Sequence, residues 1–418
     1  MKILIVTQYF WPETFRINDI ALSLVRRGHE VTVLTGTPNY PEGKFFKGFG
    51  WLQRRSEYFK GVKIRRVPII PRGKGSSIQL FLNYLSYALS ASLFGPMVTS
   101  TKIDIILVFQ VSPVTIGIPG LVMKKLKKAP LFFWVQDLWP ESISAVGVIK
   151  PSSLLLKPIE KLVRFLYAKS DRILIQSKAF ESAIRMYRKD IKSFYYLPNC
   201  AEEIYKPILP DKETAEFKQM PKGFCIMFAG NIGVAQDFDT ILRTAKILEE
   251  YKNIQWVILG DGRDRIRVEQ KVLALNLSKV FHFLGKYPIE KMPTYFSFAD
   301  VLLVTLKKDP IFALTIPAKI QSYLACCKPI VASLDGEGSR IVEESDAGLT
   351  CNAEDPDALA AKILKMYRMP NDERNRMGEA GRKYFLTNFE SEMLVSRLED
   401  WMIEEKNQGL PKNDLAGT

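Results

Sequence analysis

The chain has 418 residues, 47% hydrophobic and 25% charged, the proportions of a globular protein too long for one ordinary core. Its net charge of +14 is uneven: residues 1–200 hold 30 Lys and Arg against 12 Asp and Glu, a surplus of +18, while residues 201–418 run to −4. Two histidines and five cysteines without a CxxC pair argue against a histidine-built metal centre or a disulfide scaffold, and point to reduced thiols in the cytoplasm. A basic half implies a polyanionic partner: nucleic acid, an acidic substrate or an anionic membrane.

Lys2–Thr7 is apolar on both faces, as in a parallel strand covered by helices. Ile17, Ile20, Ala21, Leu24 and Val25 recur with a helical period up to Gly28, and Glu30–Thr35 is the second strand. The loop between strand and helix, Gln8 to Arg16, lacks GxGxxG, which argues against a dinucleotide enzyme. Residues 36–60 mix Gly, Pro, aromatic and basic residues without periodicity. They read as a mobile loop, either solvated or meeting nucleic acid or a membrane interface.

Val62–Val67 is a strand. Ile78–Val98 carries no charge but keeps Gln, Asn and Ser; it reads as a helix laid on a bilayer behind Arg65, Arg66, Arg72 and Lys74, or as a buried core helix. Asp104–Phe109 and Pro130–Val135 are strands, separated by a helix that ends in Lys124, Lys125, Lys127 and Lys128. QDLWPES, Gln136–Ser142, follows the second of these strands. Asp137, Trp139 and Glu141 stand where open α/β sheets place ligand chemistry; the other reading is a helix start capped by Asp137. Four prolines, Pro198, Pro207, Pro210 and Pro221, then punctuate a linker where the charge switches.

The alternation restarts with strand Phe224–Ala229, the loop Gly230-Asn231-Ile232-Gly233, a helix, and strand Ile254–Leu259 closed by Gly260-Asp261-Gly262. Gly230 and Gly233 let backbone N–H groups approach a phosphate. Val280–Leu284, Val301–Thr305 and Ile330–Ala332 complete a second doubly wound sheet. In DPIFALTIPAKIQSYLACCKPIVASLDGEG (309–338), Pro317 opens a helix with Lys319 in its first turn. That is an ordinary helix–strand connection, or an anion site made of a helix N-terminus and a lysine.

Two doubly wound sheets joined by a linker, with RGHEVTVLT, FAGNIG and ILGDG at corresponding places, resemble retaining family 4 glycosyltransferases of GT-B fold over nearly the whole chain. RGHEVTVLTG, WVQDLWPES and TIPAKIQSYLACCKPIVASLDGEG resemble most the branch that builds bacterial O-antigen and capsule repeats, N-acetyl-L-fucosamine transferases included. The fold implied is α/β, with two Rossmann-like domains and a cleft between them. Residues 1–197 form an acceptor- and membrane-facing domain, 198–221 a linker, and 222–388 a nucleotide-sugar domain. Residues 389–406 form a helix packing back across the seam, and 407–418 a disordered tail.

The resemblance further implies a nucleotide-diphosphate sugar, UDP-linked, as donor and a sugar on polyprenyl diphosphate as acceptor. It implies no metal cofactor, no nucleic acid, and a cytoplasmic protein peripheral on the anionic inner face of the membrane. The donor would meet Gly230, Asn231, Gly233, Gly260, Asp261, Gly262, Arg263, Pro317, Lys319, Ser322 and Glu337; Arg16, Gln136 and Trp139 lie on the acceptor side; Asp137, Glu141 and Lys319 are the catalytic candidates. The chain departs from the family in places. The two-glutamate motif falls on Leu314 and Ser322, the diphosphate-binding Arg and Lys on Asn231 and Gln236, and the catalytic-loop His on Gln136. A non-catalytic anionic-lipid or nucleic-acid binder on the same scaffold, or a GT-B sugar epimerase, are the competing readings.

Overall fold

The computed structural model describes residues 1–142 and 156–408, and every count below refers to these. The chain forms two units, Met1–Pro198 with the chain from Glu392, and Asn199–Ser391.

The first unit is built on a sheet of order β3-β4-β2-β1-β5-β6-β7-β8. Its strands are β1 (Lys2–Val6), β2 (Glu30–Gly36), β3 (Ser56–Phe59), β4 (Val62–Val67), β5 (Ile105–Gln110), β6 (Leu131–Val135), β7 (Arg172–Ile175) and β8 (Tyr195–Tyr196). All neighbours are parallel except β3 against β4. The central strands read IILVFQ and LFFWV because both faces are covered, so no position alternates to a polar residue at the surface. The chain leaves β1 toward β2 and returns to pair β5 on its other edge. This reversal brings the loops at the carboxyl ends of β1, β5 and β6 to one place.

Residues 36–60 are more ordered than their composition predicts. They contain β3, and buried ions brace the loops around them. The Glu13 carboxylate, 2% exposed, accepts the N–H groups of Asn39 (2.8 Å), Tyr40 (2.7 Å) and Phe10 (3.3 Å). Burial still pushes its acid up to about 7. Arg66, 1% exposed, donates to the Trp11 and Arg54 carbonyls and pairs with Glu57 at 2.5 Å. Partners this distant in sequence replace the periodic pattern a reader looks for.

The closing helix, Ser391–Gln408, lies with the first unit. Arg27 pairs with Glu392 and Glu399, His29 meets Glu399 at 2.7 Å, and Trp401 packs edge-on to Tyr195. The helix runs two residues past the expected end at Lys406, and the remainder of the expected tail, 409–418, lies outside the described residues.

The second unit is an all-parallel sheet of order β11-β10-β9-β12-β13-β14. Its strands are β9 (Phe224–Ala229), β10 (Ile254–Leu259), β11 (Phe281–Gly285), β12 (Val301–Thr305), β13 (Ile330–Ser333) and β14 (Gly348–Cys351). Residues 199–221, expected as a linker, are packed onto this unit. Tyr205 stacks on Phe296, Gln321 donates to the Asn199 carbonyl, and Glu216 pairs with Lys291. Prolines remove the periodicity there, but the aromatic and charged anchors hold.

The strand order reverses between β9 and β12, which pair only through Val301–Ile226 and Leu302–Met227. Beyond that point the strands part, and the buried Tyr323 hydroxyl fills the gap, accepting the Ala229 N–H at 3.1 Å. In open α/β sheets the crevice at such a switch point, outside the carboxyl ends of the strands, is where ligands bind.

Candidate active site

Three segments converge at the β9/β12 switch point. The loop after β9 carries Gly230–Gly233. Its Gly230 N–H donates to the Leu259 carbonyl at 2.8 Å, and Ile232 N–H donates to the Asp261 carbonyl at 2.9 Å, which joins it to the loop after β10. The two backbones touch: a Cβ on Gly260 would lie 1.8 Å from the Gly230 oxygen, and one on Gly262 would lie 2.2 Å from the Ile232 oxygen. Only glycine permits this approach, and Gly230 (φ +140°) and Gly260 (φ +139°) both adopt backbone that other residues rarely do.

The third segment is the helix Ala318–Ala325. Pro317 is its N-cap, one position earlier than its sequence suggests, so the first N–H groups of the helix belong to Ala318 and Lys319. The Lys319 side chain runs back over the loop after β9. Its Nζ sits 3.8 Å from the centre of the Phe228 ring and donates to the Gln236 side-chain oxygen, and its Cε lies 2.6 Å from where a Gly230 Cβ would be. Although the residue keeps some surface, its ammonium is enclosed, and loss of hydration pulls it down to about 7. A cation held in so apolar a setting gains most from an incoming anion.

A second helix N-terminus lies beside the first. Helix Glu337–Glu344 starts after Gly336 (φ +74°), and a Cβ on Gly338 would approach Pro317 to 3.1 Å. Gly336 has no room for a side chain either, since a Cβ would sit 2.1 Å from the Ala313 oxygen. The Glu337 carboxylate is engaged by Arg340 through two contacts of 2.9 Å. Ser322 lies one turn inside its helix, where its hydroxyl donates to the Ala318 carbonyl at 3.2 Å. Its proton is thus engaged by its own helix, which leaves the hydroxyl oxygen as an acceptor. Arg263, Asp261 and Asn231 are exposed on the rim, and Asp261 accepts the Gly262 N–H.

In the first unit, the loops after β5 and β6 are tied by one carboxylate. Asp137 Oδ2 accepts the N–H (2.9 Å) and the hydroxyl (2.8 Å) of Ser112, and Trp139 Nε1 donates to the same hydroxyl at 3.1 Å. Asp137 thus anchors the neighbouring loop. Burial holds its acid above the usual range despite those two hydrogen bonds. Glu141 accepts the Tyr187 hydroxyl at 2.6 Å, and its other oxygen is buried without a hydrogen-bond partner among the described residues. Arg16 opens the helix Arg16–Arg26, half-buried.

Sequence reasoning missed a row of buried amides at the carboxyl ends of adjacent strands: Gln8 after β1, Gln110 ending β5, and Gln136 after β6, the last singled out only by resemblance. Gln8 donates to Asn83 at 2.7 Å, while the Gln8 and Gln110 amide oxygens have no hydrogen-bond partner among the described residues. A buried acceptor without a donor costs about 1–3 kcal/mol. Hydroxyl groups of a polar ligand would relieve that cost.

Residues 14–193 match the glycosyl transferase 4-like domain, and residues 211–384 match the glycosyl transferases group 1. WbjE of Pseudomonas aeruginosa, named as a glycosyltransferase, is 30% identical over 248 residues, 57% of this chain and 60% of WbjE, so the match spans less than two thirds of that relative. WcaI of Escherichia coli, named as a colanic acid biosynthesis glycosyl transferase, is 22% identical over 390 residues, 88% of this chain and 93% of WcaI. Among solved structures, sucrose-phosphate synthase from Thermosynechococcus elongatus superposes with TM-score 0.71 at 15% identity, covering 98% of this chain and all of that one. Anabaena HepE in complex with UDP gives 0.69 at 12% identity, over 97% of this chain and all of HepE. The protein therefore has the GT-B fold of two Rossmann-like units, its first domain matching the glycosyl transferase 4-like domain and its second the glycosyl transferases of group 1.

Proposed function

We propose that the protein transfers a sugar from a UDP-linked donor, with retention of configuration, to a sugar carried on polyprenyl diphosphate during assembly of a bacterial surface polysaccharide. The observation that carries this reading is the Lys319 ammonium, enclosed beside the Gly230 loop and rooted in the first turn of a helix whose start lies next to a second helix N-terminus at the sheet's switch point. Backbone donors, a helix dipole and a poorly hydrated cation suit a diphosphate.

In the reaction, the bond from the anomeric carbon to the diphosphate oxygen breaks and a bond to the acceptor oxygen forms. The leaving diphosphate takes the acceptor's proton, so no strong side-chain base is needed. Charge grows on the diphosphate as that bond breaks, and Lys319 with the backbone N–H groups meets it. Such preorganised donors are worth about 2.7–4 kcal/mol each in the transition state. In the first unit, the Gln8 and Gln110 amide oxygens offer acceptors for sugar hydroxyls, and Asp137 fixes the neighbouring loop through Ser112. The name of WcaI, a colanic acid biosynthesis glycosyl transferase, supports polysaccharide assembly as the setting.

The test is incubation with a panel of UDP-sugars, UDP-N-acetyl-L-fucosamine included, and a polyprenyl-diphosphate-linked sugar. Transfer with the anomeric configuration of the donor kept supports the reading. Conversion of a donor without any lipid acceptor would instead mark an epimerase, and hydrolysis alone across all donors would count against transfer.

A further inference from the structure

Helix Ser77–Val98 carries no charged residue, yet it is not a core helix on all sides. At about 100° per residue, Asn83, Tyr87, Ala88, Ala91 and Gly95 fall on one arc and are buried. Ile78, Phe81, Leu85, Leu89, Leu93 and Met97 fall on the opposite arc, spanning roughly 160°, and all six are exposed, Ile78 at 74%, Phe81 at 62% and Met97 at 71%. A contiguous stripe of this kind marks an interaction surface. No helix among the described residues is long and apolar enough to cross a membrane.

The stripe continues beyond the helix. Ile70, exposed, is tied to it by its N–H donating to Ser86, and Trp51, 59% exposed, donates its indole N–H to the Ile69 carbonyl. Its margins are cationic. Arg55 lies over the Phe94 ring, Lys127 donates to the Pro96 carbonyl, and Lys74, Lys125 and Lys128 are exposed at the two ends. We infer that this face docks on an anionic lipid bilayer, with the helix lying in the plane of the interface and its stripe among the acyl-chain tops. Charge decides the occupant. A second copy seated on the same face would bring cation against cation, whereas anionic headgroups neutralise the rim while the apolar residues enter the interface. The opposite arc of the same helix bears Asn83, which binds Gln8 at the carboxyl end of β1. One helix thus offers a face to the lipid and braces Gln8, one of the amides proposed to meet a lipid-linked acceptor. The inference rests on that reading for its purpose alone, since bilayer binding is measured without any reaction.

The full chain and its Leu85→Glu/Leu89→Glu variant are sedimented with vesicles of phosphatidylglycerol mixed with phosphatidylcholine, with vesicles of phosphatidylcholine alone, and mixed at high salt. The wild type should bind the anionic vesicles, weaken at high salt, and bind the neutral ones poorly. The double variant, altered only at exposed positions, should keep its unfolding midpoint and its UDP affinity and lose about tenfold or more in vesicle binding. Equal vesicle binding by the two proteins, or none by the wild type, would overturn the inference. So would a wild-type dimer in solution that the variant abolishes, because the occupant would then be a second copy. Vesicle binding without sugar transfer would count against the proposed reaction and leave the lipid surface standing.

Discussion

Replacing Gly230 by Ala is a small change with a large expected consequence. At φ +140° a Cβ is strained whatever the space around it, at a cost of about 1–3 kcal/mol. The Cβ would also sit 2.6 Å from Lys319 Cε and 3.4 Å from its Nζ. The backbone has little freedom to retreat, because Gly230 N–H is bonded to Leu259 and Gly260 packs on the Gly230 oxygen. The lysine must move instead, and the Phe228 ring and Gln236 confine where it goes. If that ammonium meets the diphosphate, losing its position removes one donor, about 2.7–4 kcal/mol, or roughly 100- to 1000-fold in kcat. Initial rates of sugar transfer, with thermal unfolding as the control for folding, measure it. A folded Gly230→Ala protein with wild-type rate and UDP affinity would refute the placement of the donor at this loop.

Three further outcomes follow from the same contacts. Burial holds Lys319 at about 7 and a bound diphosphate raises it, so UDP affinity should be full below that pH and fall as pH rises above it; titrations across that range check this, and Lys319→Met should flatten the profile. Glu13, raised to about 7 by burial, binds its proton more tightly folded than unfolded, so its burial should cost stability as pH rises from about 4.5 to 7, by about 3 kcal/mol at most; unfolding of Glu13→Gln followed against pH should lose that slope, and an unchanged slope would show the carboxylate is not its source. Ser112→Ala removes a bond to Asp137 and the partner of Trp139, which should lower stability by about 1–3 kcal/mol and raise the Asp137 acid further, measured by denaturant unfolding and by the pH profile of transfer.

Much of the fold was legible because parallel strands such as IILVFQ and VLLVT are written as continuous apolar runs. β3 was not, since Ser56–Phe59 is an edge strand with every second residue exposed, embedded among glycines and arginines. Lys319 was legible because Pro317 marks a helix start. Its enclosure was not, because the Gln236 and Phe228 that surround it are distant in sequence, Gln236 by 83 residues. Glu337 and Ser322 were legible as polar residues in the right stretch, but a sequence does not show that Arg340 and the Ala318 carbonyl already hold them. The uncharged stretch 78–98 left core and surface readings open, and the helix combines both: its buried arc packs on the sheet and its other arc is exposed.

The central claim is that the second unit grips a donor through its diphosphate at Lys319. Calorimetric titration of UDP and of uridine into wild type and Lys319→Met tests it most directly. UDP should bind the variant at least about tenfold more weakly, the loss of one charge-assisted contact, while uridine, which lacks the diphosphate, should bind both alike. Equal UDP affinity in the two proteins, or a loss of the same size for uridine, would contradict it.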